Sequence, residues 1–243
     1  MTEHSEQLRQ AATKPIISSG ASAYFRKVFA VVAKDVAAEL RTKEMLSSMF
    51  IFSLLVIIIF NFAFDLRADN VTILAPGVLW VVIAFAGMLG LSRSFILESD
   101  RGSLEGLLLA PVDRSAIYLG KMIGNILFIG LVEIIILPFF VIFFNQSIAI
   151  IPPLVGVVLL GTIGFSSVGT LFSAMAIHTR AREVLLPIML FPVVVPVIIG
   201  SVRLTAAILD GTPFDEVRNW LALVAAFDAI FIAASFMLFD FVV

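Results

Sequence analysis

The chain contains no cysteine, so it can form no disulfide, no thiolate metal site and no CxxCH segment for covalent haem attachment. Its two histidines are His4 and His178, and no HExxH sequence occurs. The GxxxxGK[ST] sequence that holds nucleotide phosphates is also missing, since LGKM at 119–122 has neither the earlier glycine nor the Ser/Thr. Because no Ser/His/Asp set can be assembled within one apolar segment either, we expect the chain to have no enzymatic activity.

Charge is scarce as well. Charged residues make up 14% of the chain and hydrophobic residues 60%, with a mean hydropathy of +1.10. A soluble domain is nearer 45–50% apolar and about 25% charged, so this composition predicts an integral membrane protein. No patch of basic and aromatic residues suggests nucleic-acid binding. The first 22 residues are polar, so no cleavable secretory signal is visible, and we expect the membrane segments to direct insertion.

Six stretches are long enough to cross a membrane, for which about 20 apolar residues are needed. They are residues 46–66, 71–92, 117–144, 150–177, 184–203 and 218–241. Backbone polar groups cannot face lipid unpaired, so each stretch is predicted to be a helix. The expected fold is all-α: a polytopic membrane protein with six transmembrane helices. We expect residues 1–22 to be a flexible tail and residues 23–243 to form one membrane domain.

The cations predict the orientation, because short cytoplasmic loops are enriched in Lys and Arg. Thirteen of the 16 Lys and Arg residues lie before the first span, in the connection between spans two and three or at its edge, or in the connection between spans four and five. The other three are Arg67, Arg203 and Arg218. Both termini are therefore predicted to be cytoplasmic.

Residues 22–44 precede the first span and are predicted to form an amphipathic helix. Its apolar residues at helical spacing are Phe25, Val28, Phe29, Val32, Val36 and Leu40. Such a helix lies in the membrane interface, with its apolar side toward lipid and its Lys and Arg residues toward anionic headgroups. The alternative is a soluble helix that packs on a partner.

Two spans carry features that affect helix packing. Span five contains Pro187, Pro192 and Pro196, and each proline removes a backbone donor and clashes with the preceding turn. We expect this span to be kinked or broken, as at a cavity or a moving element, or else simply to be a bent packing helix. In span three, GKMIG at 120–124 places two glycines four residues apart, which favours close helix packing.

Two carboxylates fall near the middle of spans, Glu133 in the third and Asp228 in the sixth. An ionisable group at this depth costs at least about 2.5–3.5 kcal/mol, so it usually faces the bundle interior or water. One interpretation is structural: each acid hydrogen-bonds to a neighbour such as Asn125 or Ser235. The other is that the acids line a path through the membrane.

Between spans two and three lies a charged island, ESDRGSLEGLLLAP at 98–111. Gly102 and Ser103 indicate a turn into a short helix that Pro111 ends, and three leucines of this helix fall at i, i+3 and i+4 on one face. A leucine face on a cytoplasmic helix requires lipid or a protein groove. Since the chain has no nucleotide site, we expect that groove on a cytoplasmic ATPase. The candidate coupling segment comprises Glu98, Asp100, Arg101, Gly102, Ser103, Leu104, Glu105, Leu107 and Leu108. A second cytoplasmic contact is predicted at Arg180, Arg182 and Glu183.

Blocks along the chain resemble the haem exporter protein B family, the permease subunits of the ABC complex used in cytochrome c maturation. The blocks are APGVLWVVIAFAGMLGLSRSF, ESDRGSLEGLLLAPVDRSAIYLGK, VEIIILPFF, GTIGFSSVGTLFSAMA, TRAREVLLPIMLFPVVVPVI and AAFDAIFIAASFMLFDFV. They run in family order from about residue 24 to the C-terminus, and GSLEGLLLAP and TRAREVLLP are the most specific. A GxLE-type loop alone is weaker, because it recurs across ABC-2 permeases.

The resemblance implies an ABC-2-like permease of the bacterial inner membrane. It would pair with a cytoplasmic ATP-binding subunit, a haem-handling membrane protein and a small membrane subunit. ATP hydrolysis in the partner would promote haem delivery to a periplasmic haem chaperone, or its release. Haem would be the cargo of the complex, and no cofactor or metal is expected on this chain. Two alternatives stay open: an ABC-2 permease for a lipid or drug, and an ATPase-independent carrier with Glu133 and Asp228 as its ion site.

Overall fold

The computed structural model describes residues 20–65, 71–100, 112–177, 179 and 181–242, and this part of the chain folds into seven α-helices with no strand. The all-α prediction is confirmed. The helices are α1 Ala21–Thr42, α2 Glu44–Asp65, α3 Val71–Asp100, α4 Arg114–Phe143, α5 Ile151–Ala176, α6 Arg182–Asp210 and α7 Phe214–Val242. A 3-10 turn, Ile148–Ile150, leads into α5.

Six of these helices are long and apolar enough to cross a membrane, and they match the six predicted spans in order. The segments are Glu44–Ala63, Ile73–Ser94, Arg114–Phe143, Ile148–Ala176, Glu183–Asp210 and Asp215–Val242. The largest difference is at the fifth span, which was predicted to end at residue 203 and continues to Asp210. Its end is set by Gly211, whose φ of 67° is the left-handed conformation that glycine adopts readily.

Helix α5 occupies the centre of the bundle, in contact with α3, α4, α6 and α7. Its buried surface is made mostly of small and hydroxyl residues: Gly161, Thr162, Gly164, Ser166, Ser167, Gly169, Thr170 and Ser173. Small residues let neighbouring helices approach closely, which is the main source of helix packing energy in lipid. A side chain at Gly169 would collide with Leu91 of α3. The polar composition of α5 therefore serves close contact with its neighbours.

Contacts near the helix ends show which ends lie together. The Ser173 hydroxyl donates to the Leu91 carbonyl at 2.8 Å, and Arg114 donates to the Asp240 carbonyl at 2.8 Å. These four residues mark the connection end of the bundle, where the C-terminal part of α3 and the last turns of α5 and α7 lie together with the first turn of α4.

Helix α6 runs unbroken from Arg182 to Asp210 through all three of its prolines. Span five is therefore not broken, whereas the kink and the alternative of a bent packing helix both stay predictions. The reason lies in which face carries the prolines. The buried residues at helical spacing include Leu190, Val194 and Val197, whereas Pro192 and Pro196 are exposed on the other side. Packing against α3, α5 and α7 holds α6 helical despite the missing donors.

Helix α1 confirms the predicted amphipathic helix, but its apolar side is divided. Val28, Val31 and Val32 are buried, and α1 packs mainly on α4. At Gly120 an added side-chain carbon would lie 2.6 Å from the Cβ of Val31, so the first glycine of GKMIG is what allows this contact. Phe25 and Phe29 remain 55% and 63% exposed. Part of the face predicted to meet lipid is thus covered by the chain itself.

Candidate functional site

Most of the predicted coupling segment lies outside the described residues. The undescribed members are Arg101, Gly102, Ser103, Leu104, Glu105, Leu107 and Leu108. The other two, Glu98 and Asp100, belong to the last turn of α3. The helix continues because residues 91–100 contain no glycine or proline to end it.

A buried cation lies between α1, α3 and α4, near the connection end. Lys121 of α4 is 1% exposed, its Nζ lies 2.9 Å from Asp35 Oδ2 of α1, and it donates to the Ser94 carbonyl of α3 at 3.1 Å. One ammonium group therefore joins three helices at the connection end. Lys34 also lies 3.4 Å from Asp35. Burial lowers the pKa of Lys34, the nearby Lys121 charge adds to this effect, and Asp35 opposes it.

Other polar contacts of α1 lie on the same flank of the bundle. Lys27 Nζ is 3.3 Å from Asp113 Oδ2, and the Tyr24 hydroxyl donates to Ser115 at 3.1 Å. Asp113 stands just before α4, so these contacts hold α1 at the residue where the 101–111 connection ends. At its other end, α1 supplies Glu39, whose carboxylate accepts the Leu46 backbone N–H in the first turn of α2 at 2.9 Å.

The second predicted contact lies where α5 gives way to α6. Arg180 is outside the described residues, Arg182 is the first residue of α6, and Glu183 is exposed in its first turn. Because Ser173 near the end of α5 bonds to Leu91, α5 ends and α6 begins at the connection end. The helix ends that flank the two predicted cytoplasmic contacts therefore lie at the same end of the bundle.

Glu133 is 5% exposed and accepts a hydrogen bond from the Thr162 hydroxyl of α5. Its second oxygen has no hydrogen-bond partner among the described residues. Beside it lies a cavity of about 10 Å³, with Ser53, Leu79 and Ile136 in its wall. This hydrogen bond supports the structural interpretation of Glu133, although the partner is Thr162 and not Asn125 or Ser235.

Asn125, which was suggested as a partner for the acids, donates instead to the Thr170 hydroxyl at 2.9 Å. Asp228 is 5% exposed, and neither of its oxygens has a hydrogen-bond partner in the described part of the chain. The Ser235 hydroxyl also has no hydrogen-bond partner among the described residues, so the suggested pairing of an acid with Ser235 is not found. Asp228 faces α5 at Gly164, where an added side chain would collide with its carboxylate.

The two intramembrane acids approach α5 from different sides. Glu133 meets it at Thr162 and Asp228 at Gly164, and positions two apart on a helix point about 200° from each other. The structure therefore does not bring Glu133 and Asp228 into one site. Among the described residues, no group of three or more His, Asp or Glu side chains is arranged to hold a metal ion.

Two structural positions were missed from the sequence. Trp80 is buried with its ring against Gly161, and its indole N–H donates to Thr205 at 2.9 Å, which ties α3 to α5 and α6. A lone tryptophan deep in a span was the available signal. Lys121 was used in the sequence analysis only as one of the cations that predict which side of the membrane is cytoplasmic. The available signal was its place inside the GKMIG packing motif, because a buried lysine requires an acidic partner.

Six apolar helices that surround a small-residue central helix, with an amphipathic helix against one end, define a polytopic α-helical integral membrane protein. Comparison with protein families identifies the particular kind. The model of the CcmB protein family matches residues 26–241, so the chain belongs to this family.

Relatives named Heme exporter protein B support this assignment. The Pseudomonas aeruginosa protein is 29% identical over 197 residues, which is 81% of this chain and 88% of that protein. The Rhodobacter capsulatus protein is 26% identical over 197 residues, 81% of this chain and 90% of that protein. The Paracoccus denitrificans protein is 30% identical over 148 residues, 61% of this chain and 68% of that protein.

Proposed function

We propose that the chain is the permease subunit of an ABC-type complex that exports or delivers haem for cytochrome c biogenesis. The observation that carries the proposal is the family match across residues 26–241, which covers all six spans and the charged connection. ATP is bound and hydrolysed by a separate cytoplasmic subunit. Hydrolysis there drives delivery of haem to a periplasmic haem chaperone, or release of the loaded chaperone.

The proposed complex also contains a haem-handling membrane protein and a small membrane subunit, and it lies in the bacterial inner membrane. The connection end faces the cytoplasm, since the positive-inside rule places the connections that carry Arg101, Arg180 and Arg182 there. Both chain termini are then cytoplasmic. Haem is cargo of the complex, and no residue of this chain is assigned to ligate it.

The mechanical part of the proposal concerns the coupling segment. It connects α3 and α4, each a continuous helix of 30 residues. A force applied between two such helices is transmitted along their length, because close-packed helices move as rigid bodies. The leucine face of the segment fits a groove on the ATP-binding subunit, and Glu183 and its neighbours provide a second contact at the same end.

The intramembrane acids give little support to an ATPase-independent carrier. An ion site built from Glu133 and Asp228 requires both carboxylates in one place, and they lie on different sides of α5. The proposal therefore assigns both acids to the packing of α5 and not to transport.

The test replaces the leucine face. In the variant Leu104→Asp/Leu108→Asp, we expect normal membrane insertion and a loss of co-purifying ATP-binding subunit of about tenfold or more, since losing an interface hot spot costs about 2 kcal/mol and each 1.4 kcal/mol is about tenfold. The matched control is Leu104→Met/Leu108→Met, which keeps an apolar face and should co-purify normally. Normal co-purification of the aspartate variant would contradict the proposal.

A further inference from the structure

We propose that the cavity beside Glu133 is a binding site for a single water molecule. The water bridges the carboxyl group of Glu133 on α4 and the hydroxyl group of Ser53 on α2, and so links these two spans in the middle of the membrane. This inference goes beyond the proposed function and does not rest on it, because it concerns the chain alone.

The first argument is the chemical form of Glu133. Its side chain is 5% exposed, and Ser53 is the other polar residue in the cavity wall, where the rest are Met, Ala, Val, Leu and Ile. Among the described residues that line the cavity, none is Lys, Arg or His. An ionised carboxylate is very costly in apolar surroundings without a paired cation. Glu133 is therefore a neutral acid.

The second argument is the position of its proton. A neutral carboxyl group has one O–H to donate. The Thr162 hydroxyl donates to Oε1 of Glu133, which makes Oε1 the carbonyl oxygen and places the proton on Oε2. Oε2 is enclosed and has no hydrogen-bond partner among the described residues. Because an unsatisfied buried donor is costly, Oε2 requires an acceptor inside the cavity.

The third argument is that the cavity has the size and the second polar group that one water needs. Its volume of about 10 Å³ is at the lower end of the ~10–15 Å³ that admits a water molecule, and it excludes a larger ligand. Ser53 donates its own proton to the Met49 carbonyl at 2.7 Å, so its oxygen remains available as an acceptor. The water then accepts from Glu133 Oε2 and donates to Ser53 Oγ.

The bridge is placed where α2 has no other polar contact in the described structure. The Asn61 amide donates to the Phe143 carbonyl of α4 at 2.5 Å near one end of α2, and Glu44 at the other end lies 3.7 Å from Arg93 of α3. Between positions 48 and 61, Ser53 is the only polar residue of the sequence. The water therefore supplies the polar link between α2 and α4 at mid-span.

Infrared spectroscopy of the full chain in lipid vesicles tests the neutral acid and the bridge together. The C=O stretch of a neutral carboxyl group is separate from the amide bands, and subtracting the spectrum of Glu133→Gln isolates the band of Glu133. We expect this band in the parent chain. In Ser53→Ala, with Ser53→Ala/Glu133→Gln subtracted, it should shift to higher frequency, because the water loses its second partner and the carboxyl group loses its acceptor. Ser53→Thr keeps a hydroxyl and should leave the band at the parent frequency.

The matched control is Ser48→Ala. Ser48 makes the same kind of bond as Ser53, to the carbonyl of Glu44 four residues earlier at 2.6 Å, but it is not part of the cavity wall. This variant should leave the Glu133 band unchanged. A band that is missing from the parent chain, or that has the same frequency in Ser53→Ala as in the parent, would overturn the inference.

A density map of the parent chain is a second measurement, and it decides the question even if Ser53→Ala does not accumulate. We expect a water peak within about 3 Å of both Glu133 Oε2 and Ser53 Oγ. A cavity without a peak, or direct contact between the two side chains, would overturn the inference. Neither measurement involves an ATP-binding subunit or haem, so failure of the proposed function would leave both results unchanged.

Discussion

The contact between Gly161 of α5 and the Trp80 ring offers a sharp test of how this bundle is packed. A Cβ at Gly161 would overlap two atoms of the Trp80 six-membered ring and lie 2.8 Å from the Ser201 hydroxyl. The ring cannot retreat freely, because Trp80 is 2% exposed and its N–H is bonded to Thr205. We therefore expect Gly161→Ala to destabilise the protein by about 1–3 kcal/mol, the usual cost of overpacking.

The same helix provides the control. Nothing lies within 4 Å of the position that a Cβ would take at Gly156, which is exposed on α5. Gly156→Ala should therefore be neutral or stabilising by about 0.5–1 kcal/mol, through the helix preference of alanine alone. Comparing the two alanines separates the contact with Trp80 from the general effect of losing a glycine.

The assay is unfolding of the purified chain in mixed micelles, by heat or by added denaturing detergent. A second substitution identifies the contact, because Trp80→Phe removes the two ring atoms that the new Cβ overlaps. Trp80→Phe should therefore lower the free energy of unfolding less in the Gly161→Ala background than in the parent chain, with a coupling energy of about 0.5–3 kcal/mol. Equal stability of Gly161→Ala and Gly156→Ala would refute the close approach of α3 and α5.

Two further predictions concern buried polar groups. Glu133→Gln keeps an oxygen that accepts from the Thr162 hydroxyl, so it should accumulate in membranes at the parent level. Glu133→Lys should accumulate poorly, because a lysine at the middle of a span costs about 2.5–3.5 kcal/mol and its ammonium group cannot accept from Thr162. Equal accumulation of both variants, measured by membrane immunoblot, would contradict this. Thr170→Val leaves the Asn125 amide without its acceptor and should lower stability in the same unfolding assay by about 1–3 kcal/mol, while an unchanged stability would show that the amide finds another partner.

The spans could be predicted from the sequence because hydrocarbon imposes a minimum apolar length on any crossing helix. All six appeared in the expected order, with ends that moved by a few residues. Those ends depend on helix termination, which apolarity alone does not encode. Helix α3, for example, continues to Asp100 although its last three residues are Glu, Ser and Asp.

The arrangement of the spans was less accessible to prediction. Nothing in the hydropathy of α5 marks it as the central helix. Its glycines are required because the side chains of Trp80, Leu91 and Asp228 pack directly against them, and those contacts depend on the fold. The prolines of α6 predicted a kink or a break on local grounds, and the helix is not broken. Tertiary packing overrides this local tendency, because two of the three prolines lie on the exposed side of the helix.

The candidate site was predicted only in part. Charge and leucine spacing predicted a coupling segment, most of which lies outside the described residues, and it stays a prediction. No local pattern could show that Asp35 of α1 and Lys121 of α4 meet, since the two positions are 86 apart in the chain (121 minus 35). Pairing between distant buried charges follows from the fold. The same reasoning explains why Glu133 pairs with Thr162 and Asn125 with Thr170, and not with each other.

The central claim is that the segment between α3 and α4 contacts an ATP-binding subunit on the cytoplasmic side. A photoreactive amino acid at position 108, in place of Leu108, tests it in intact cells, with the same group at Thr212 between α6 and α7 as the control. We expect an adduct with the ATP-binding subunit from position 108 and none from position 212. An adduct with a periplasmic protein from position 108 would contradict it.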